Sequence, residues 1–320
     1  MKVRLGYVAI SNKLGKKVTS SSTVTFKTYS SIATKENRIK KLKEVAVSNV
    51  NDLEKIIKYN IENDIHFYRL TSKLIPLITH PEVEDYGHRK FLSKDLIYIG
   101  NLIKNSNMRI DAHPDQFNVI NSFNDNVVES TIVNLKVHNE LFEDLNYPYG
   151  KMVIHVGGAT NGKEESLQRF INNFKKIPEE YGRKLIIEND DKTFNIKEVL
   201  YLCNKLSLPM VLDVHHHNCN NDGELLEEYI ERIFNTWNGE YLPPKIHFSS
   251  PRDFINDRKH ADFIDVHDFY KFLKTAKVID RDFDCMLECK EKDLALYKLV
   301  DDLKAFYPNV NWIDSTTLII

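Results

Sequence analysis

The stretch Val211-Leu212-Asp213-Val214-His215-His216-His217 runs from an apolar segment into one carboxylate and three imidazoles. A parallel barrel strand delivers chemistry in this way: its body is buried on both faces, and its C-terminal end opens onto the rim where sites form. The same shape recurs in Met108–His113, Met152–Gly157, Leu185–Asp190, Lys245–Ser250 and Cys285–Glu288. The recurrence, rather than the histidine cluster alone, is what defines a repeating unit.

Outward from these runs, short apolar segments alternate with segments of helical spacing. Val3–Ile10 reads as a strand. From Lys35 to Asn63, Ile39, Leu42, Val45, Ala46, Val50, Leu53, Ile56, Ile57 and Ile61 mark one helix face. His66–Ser72, Met108–His113, Lys151–Gly157, Lys184–Asn189, Met210–Val214, Lys245–Phe248 and Asp284–Glu288 read as the next strands, with helical segments between them and after the last. Strict alternation implies parallel strands joined by helical crossovers, and eight units in this length predict an α/β fold closed as a (β/α)8 TIM barrel. An eight-stranded open sheet is the alternative. No linker or solenoid repeat interrupts the chain, so one domain is expected over residues 1–320, with 306–320 a peripheral tail. The Ser/Thr/Lys-rich segment Lys16–Ser31 reads as a surface loop, or as a loop that grips a backbone near the active face.

Apolar residues make up 42% of the chain and charged residues 28%, which fits a folded globular protein. No apolar run is long enough to cross a bilayer, and the N-terminus lacks a secretory pattern, so the reading is cytoplasmic. Cys203, Cys219, Cys285 and Cys289 form no C-x-x-C pair and read as reduced. A net charge of −2 would argue against a nucleic-acid partner, but carboxylates gathered inside a metal site lower the total while leaving a basic rim.

Metal-binding residue types collect where barrel sites lie. His113 ends the third strand, His155 sits late in the fourth, Glu188 ends the fifth, and Asp213 with His216 ends the sixth. His247 lies on the seventh, His260 in the loop after it, and Glu288 ends the eighth. Asp213 and His216 are three apart and cannot share a face of an extended strand, so His216 must come from the turn beyond. A lone strand histidine is more often a hydrogen-bonded core residue, and a strand-end carboxylate is often a cap. Eight such groups converging on one rim are tolerable together only around cations. Five imidazoles and three carboxylates without a thiolate suit Mn2+ or Zn2+, and their number predicts two to three ions. Clustered divalent ions serve phosphoryl chemistry, with metal-bound hydroxide as nucleophile.

At this point the chain resembles the ultraviolet-damage endonucleases, which share the barrel and metal site of the endonuclease IV type. The strings that carry the resemblance include Leu5-Gly6-Tyr7, Tyr68-Arg69, Thr79-His80-Pro81, His113-Pro114-Asp115-Gln116-Phe117, Ile154-His155-Val156-Gly157-Gly158, Glu188-Asn189-Asp190-Asp191, Lys245-Ile246-His247, His260-Ala261-Asp262 and Glu288-Cys289-Lys290. The resemblance implies cutting of double-stranded DNA immediately 5′ to cyclobutane pyrimidine dimers or pyrimidine-pyrimidone photoproducts, leaving 3′-hydroxyl and 5′-phosphate. It also implies metal ligation by His113, His155, Glu188, Asp213, His216, His247, His260 and Glu288. Tyr7, Asn12, Gln116 and Phe117 would probe the lesion, with Ser11 as the alternative to Asn12, because aromatic rings wedge into a stack and amides read base edges.

The carboxylate expected two residues before His260 is replaced by Arg258. Lys245 shares a strand face with His247 and is assigned a catalytic place beside Glu188 and Glu288. Either its ammonium holds the scissile phosphate, or its amine is carbamylated and ligates metal; a strand-entry lysine reaching solvent is the plain alternative. His80 is placed either behind the metal ligands or at the lesion pocket, and Arg69 against phosphate or a rim carboxylate. One or both of His215 and His217 are expected to be structural. A monomer is expected. Two rivals remain: a sugar isomerase or epimerase on the same barrel, and a damaged-DNA binding protein with structural metals.

Overall fold

The computed structural model describes residues 1–115 and 117–320. Eight parallel strands, β1 (Lys2–Val8), β2 (Phe67–Leu70), β3 (Arg109–Ala112), β4 (Lys151–His155), β5 (Leu185–Glu188), β6 (Met210–Asp213), β7 (Lys245–Phe248) and β8 (Phe283–Leu287), pair in sequence order. β1 then pairs with both β8 and β2, which closes the sheet into a (β/α)8 TIM barrel and removes the open-sheet alternative.

Each strand is buried on both faces. The residues of one parity, Leu5, Tyr7, Tyr68, Ile110, Ile154, Ile187, Leu212, Ile246 and Leu287 among them, pack outward against the helices in one continuous core. The other parity fills the barrel, where Val153, Ile186 and Val211 meet Trp237 on one side and Val8, Phe67 and Met286 meet on the other. Gly6 is required here by close approach, since a Cβ at that position would lie 2.3 Å from the carbonyl oxygen of Phe67.

The long helix Lys35–Glu62 starts at an N-cap, Thr34, and buries Leu42, Ala46, Val50, Leu53, Ile56 and Ile57, the face expected from their spacing. Helix Ile196–Leu206 begins with a reciprocal capping box between Asn195 and Glu198.

Three local expectations need revision. The first strand stops at Val8, because Ala9 turns to φ 66° and offers its carbonyl to the hydroxyls of Tyr68 and Ser20. The Lys16–Ser31 segment contains a helix, Phe26–Ser31, capped by Thr25. The C-terminal segment, expected as a peripheral tail without strands, carries two: β9 (Asn311–Trp312) and β10 (Thr317–Ile319) form a hairpin, and β10 runs antiparallel to β1 with Lys2 opposite Ile319. β2 pairs only with the upper half of β1, from Gly6, and β10 covers the lower half that would otherwise be an open edge.

Candidate metal centre

Strand register brings the rim residues level. His155 lies opposite Glu188, and Asp213 lies opposite His247. Side chains of one parity point inward, so these four converge above the apolar filling of the barrel. Asp213 ends β6 and caps the short helix Val214–Cys219, where its Oδ1 accepts the His216 N–H at 2.8 Å. That turn carries His216 back over the rim, as the three-residue spacing requires.

Glu188 is the hub. It is buried, with Oε1 2.7 Å from His247 Nδ1 and 3.6 Å from His216 Nδ1. Its Oε2 lies 3.4 Å from His113 Nε2 and 3.5 Å from His155 Nε2. Two groups of candidate ligands have donor atoms within 4.8 Å of one another, His113 with His155 and Glu188, and Glu188 with Asp213 and His247. Glu188 belongs to both.

The imidazoles are oriented from behind. His113 Nδ1–H donates to the Pro114 carbonyl at 3.0 Å, His216 Nδ1–H to the Asn189 carbonyl at 3.0 Å, and His260 Nδ1–H to the Glu288 carbonyl at 2.6 Å. A carbonyl can only accept, so Nδ1 carries a proton and Nε2 is the nitrogen left for a cation to take. Asn189, which sequence reasoning did not single out, also exchanges 2.9 Å bonds with both backbone groups of Asp213.

The fit to cations rests on atoms left over. Glu188 Oε2, Asp213 Oδ2 and His247 Nε2 are buried without a hydrogen-bond partner. Such orphans carry a desolvation cost that a divalent ion at the same point removes. The donor set of oxygen and nitrogen atoms suits Mn2+ or Zn2+.

The charges agree. Burial alone would raise the Glu188 carboxyl, but the surrounding imidazoles, His247 foremost, hold it well below the usual range. Burial pulls His216 down, but Asp213, Glu188 and Glu288 outweigh it and hold the ring at about 9. At neutral pH, His216 therefore carries a proton that an incoming cation must displace. Burial lowers His155, which keeps that ring neutral and available. Glu288 is ion-paired with Arg69 and lies 3.2 Å from His247 Nδ1. Arg69 thus meets a rim carboxylate, one of its two expected partners.

Other expected residues lie elsewhere. Tyr7, assigned to the lesion, is a correction: it points out of the barrel with no exposed surface, and its hydroxyl donates to Asn60 Oδ1 at 2.7 Å. Lys245 does not reach solvent, which removes the plain alternative of a strand-entry lysine. It is fully buried one layer below His247, with Nζ 3.2 Å from Asp111 Oδ2, and burial pushes its amine down to about 8. Phe117, on the loop after β3, is 79% exposed. Gln116 lies outside the described residues. Asn12 donates to Glu291 Oε2 and the Lys290 carbonyl in the loop after β8, while Ser11 is buried against Asp293. His80 is half-buried and stacks on Phe26 with ring centroids 4.0 Å apart. His215 and His217 are buried beside His216.

A closed barrel with carboxylate-linked imidazoles at the C-terminal ends of its strands defines a TIM barrel with a candidate cation site. The sequence profile described as UV-endonuclease UvdE matches residues 3–318. A UV DNA damage endonuclease of Bacillus cereus (strain B4264) is 38% identical over 306 residues, covering 95% of this chain and 96% of its own. A UV DNA damage endonuclease of Halalkalibacterium halodurans is 37% identical over 309 residues, covering 96% and 95%. The crystal structure of SacUVDE superposes with a TM-score of 0.83 at 35% identity, over 95% of this chain and 98% of that one. A D-tagatose 3-epimerase-like protein, at 18% identity and a TM-score of 0.56, shares the fold. The chain belongs to the UV-endonuclease UvdE family.

Proposed function

We propose that this chain is a DNA repair endonuclease that nicks double-stranded DNA immediately 5′ to ultraviolet photoproducts, leaving 3′-hydroxyl and 5′-phosphate. The observation that carries the reading is Glu188, a buried carboxylate shared by two candidate cation sites on the rim of a barrel of this family. The centre would hold two to three divalent ions, Mn2+ or Zn2+, through His113, His155, Glu188, Asp213, His216, His247, His260 and Glu288. Bound there, the ions supply Lewis acidity, which makes water acidic enough to attack near neutral pH and offsets charge on the attacked phosphate. Asn189 orients His216 and Asp213, and Arg69 holds Glu288 in its ionised form. Phe117 offers a ring to an unpaired base, and Gln116, which precedes it in sequence, is assigned to read base edges. The reading is of a cytoplasmic monomer; among the described residues no helix is long and apolar enough to cross a membrane.

The test is to incubate irradiated and unirradiated supercoiled plasmid with the protein, with and without chelator. Nicking of the irradiated plasmid alone, abolished by chelator, is the expected outcome. Binding without nicking would favour a damaged-DNA binding protein, and neither would favour a sugar isomerase or epimerase.

For Lys245, burial supports the carbamate over an ammonium that meets phosphate. An amine held near 8 is partly neutral at physiological pH, the form that adds to CO2. Protein equilibrated with 13C-bicarbonate is expected to show a carbamate carbon resonance that is missing in Lys245→Arg. An unchanged spectrum in that variant would refute the assignment.

A further inference from the structure

The loop after β7 projects from the rim that carries the candidate metal centre as a stiff finger. Its stem is closed by the antiparallel bridge Pro251–His260 and by the Arg252 N–H bond to the Lys259 carbonyl at 2.9 Å. Its turn is pinned from inside by Asp257, a buried carboxylate whose two oxygens accept the backbone N–H groups of Lys259 and Asp253, each at 3.1 Å. Asn256 makes the reversal at φ 64°, and its carbonyl accepts from Cys219 Sγ, which ties the turn to the His216 helix.

This rigid scaffold presents Phe254 and Ile255 at its tip, 68% and 87% exposed. Single exposed apolar residues are ordinary, whereas two in succession on a preorganised turn beside a candidate active centre are not. Beneath the finger lies a cavity of about 370 Å3 between its stem and the loop after β8. Its charged lining is cationic apart from Glu288, which is already paired with Arg69. Among the described residues, Lys259, Lys290 and Lys292 line it without an ion pair. An apolar tip above a cationic trough matches a nucleic acid, which offers stacked bases beside a phosphate chain.

Topology adds a second point. In the closed order β2-β3-β4-β5-β6-β7-β8-β1, strands β3 and β7 are four steps apart in either direction. The finger therefore rises from the strand opposite the one that leads to exposed Phe117, with the rim of the candidate metal centre spanning the two.

We propose that Phe254 and Ile255 form a second wedge, inserted into the base stack of the damaged duplex opposite the Phe117 loop, while the DNA backbone lies in the cationic trough under the finger. The proposal rests on the endonuclease reading above. Its test compares wild-type protein with Phe254→Ala/Ile255→Ser on duplexes carrying one photoproduct, either fully paired or mismatched beside the lesion.

The double variant is expected to lose about 10- to 100-fold in kcat/KM on paired DNA with an unchanged thermal midpoint. Most of this loss should be recovered on mismatched DNA, where unstacking no longer needs a wedge. Wild-type rates on paired DNA, or a loss that mismatches do not relieve, would overturn the wedge while leaving the endonuclease reading intact. A wild-type protein that dimerises through the finger, with nicking unaffected by the double substitution, would assign the tip to self-association instead. Failure of wild-type protein to nick either duplex would overturn both readings.

Discussion

Glu188→Gln is expected to abolish photoproduct-dependent nicking, with a loss on the order of 10^3-fold or more, equivalent to about 4 kcal/mol in the barrier. The substitution keeps the shape of the side chain and removes the charge that both candidate cation sites share. Gln keeps one carbonyl oxygen and turns an N–H2 group toward either the His247 side or the His113 and His155 side. One site therefore loses its oxygen donor and gains a donor hydrogen in its place. The barrel should survive, since the rim lies above the apolar packing of Val153, Ile186 and Val211. The check is plasmid nicking alongside a thermal melt and metal content per chain. Full nicking in Glu188→Gln would refute the site assignment, and a collapsed melt would move Glu188 to a structural role.

The largest expected effect on stability lies one layer down. Asp111 is fully buried on β3 with its carboxylate 3.1 Å from Arg109 Nε and 3.2 Å from Lys245 Nζ. Arg109 also meets Asp284 at 3.0 Å, and Arg4 grips Asp284 from the barrel floor at 2.6 Å. Removing one partner of such a network leaves buried charge uncompensated, so Asp111→Ala is expected to destabilise by about 3–5 kcal/mol. Asp111→Asn, which keeps the shape and an acceptor oxygen, should cost less. Urea unfolding of the metal-free proteins in CO2-depleted buffer, where Lys245 is the free amine, measures both.

The pH dependence has a definite sign. Burial would raise the Asp111 carboxyl, but Arg109 and Lys245 outweigh it and hold it below the ordinary value. Its stabilisation is therefore present above the unfolded pKa of about 3.9 and is lost as pH falls through the lower folded value. The gap between wild type and Asp111→Ala should be widest near neutrality and shrink in acid. A gap that stays constant down to strongly acidic pH would show that the variant suffers from lost packing rather than lost charge.

These two residues mark the limits of what could be read from the chain. Glu188 was legible because a carboxylate at the end of an apolar run, repeated in type at neighbouring strand ends, has few roles other than a shared site. Asp111 sat within a quoted run, yet nothing local distinguishes a carboxylate paired inside a barrel from one at a strand surface. Lys245 was rightly placed on the face of His247, but strand parity says nothing about depth, and two residues along a strand separate the rim from the sealed interior. Tyr7 went astray for a related reason: Leu5 and Tyr7 alternate with Gly6 and Val8, and where both faces of a strand are buried, hydropathy does not reveal which parity looks inward. The finger at Phe254 and Ile255 was invisible, because exposure at a turn depends on what packs against it from other strands.

The sequence by itself determined the alternation of strands and helices, hence a sheet of eight parallel strands, and also the family and the residue types gathered at the C-terminal ends of those strands. Those follow from local periodicity and from the fixed hand of parallel crossovers. Only the tertiary structure decided which donor atoms meet at Glu188, how deep Lys245 lies, where Tyr7 points and what the loop after β7 presents. Each of these depends on register between strands distant in sequence, and register is set by closure of the whole barrel rather than by any one segment.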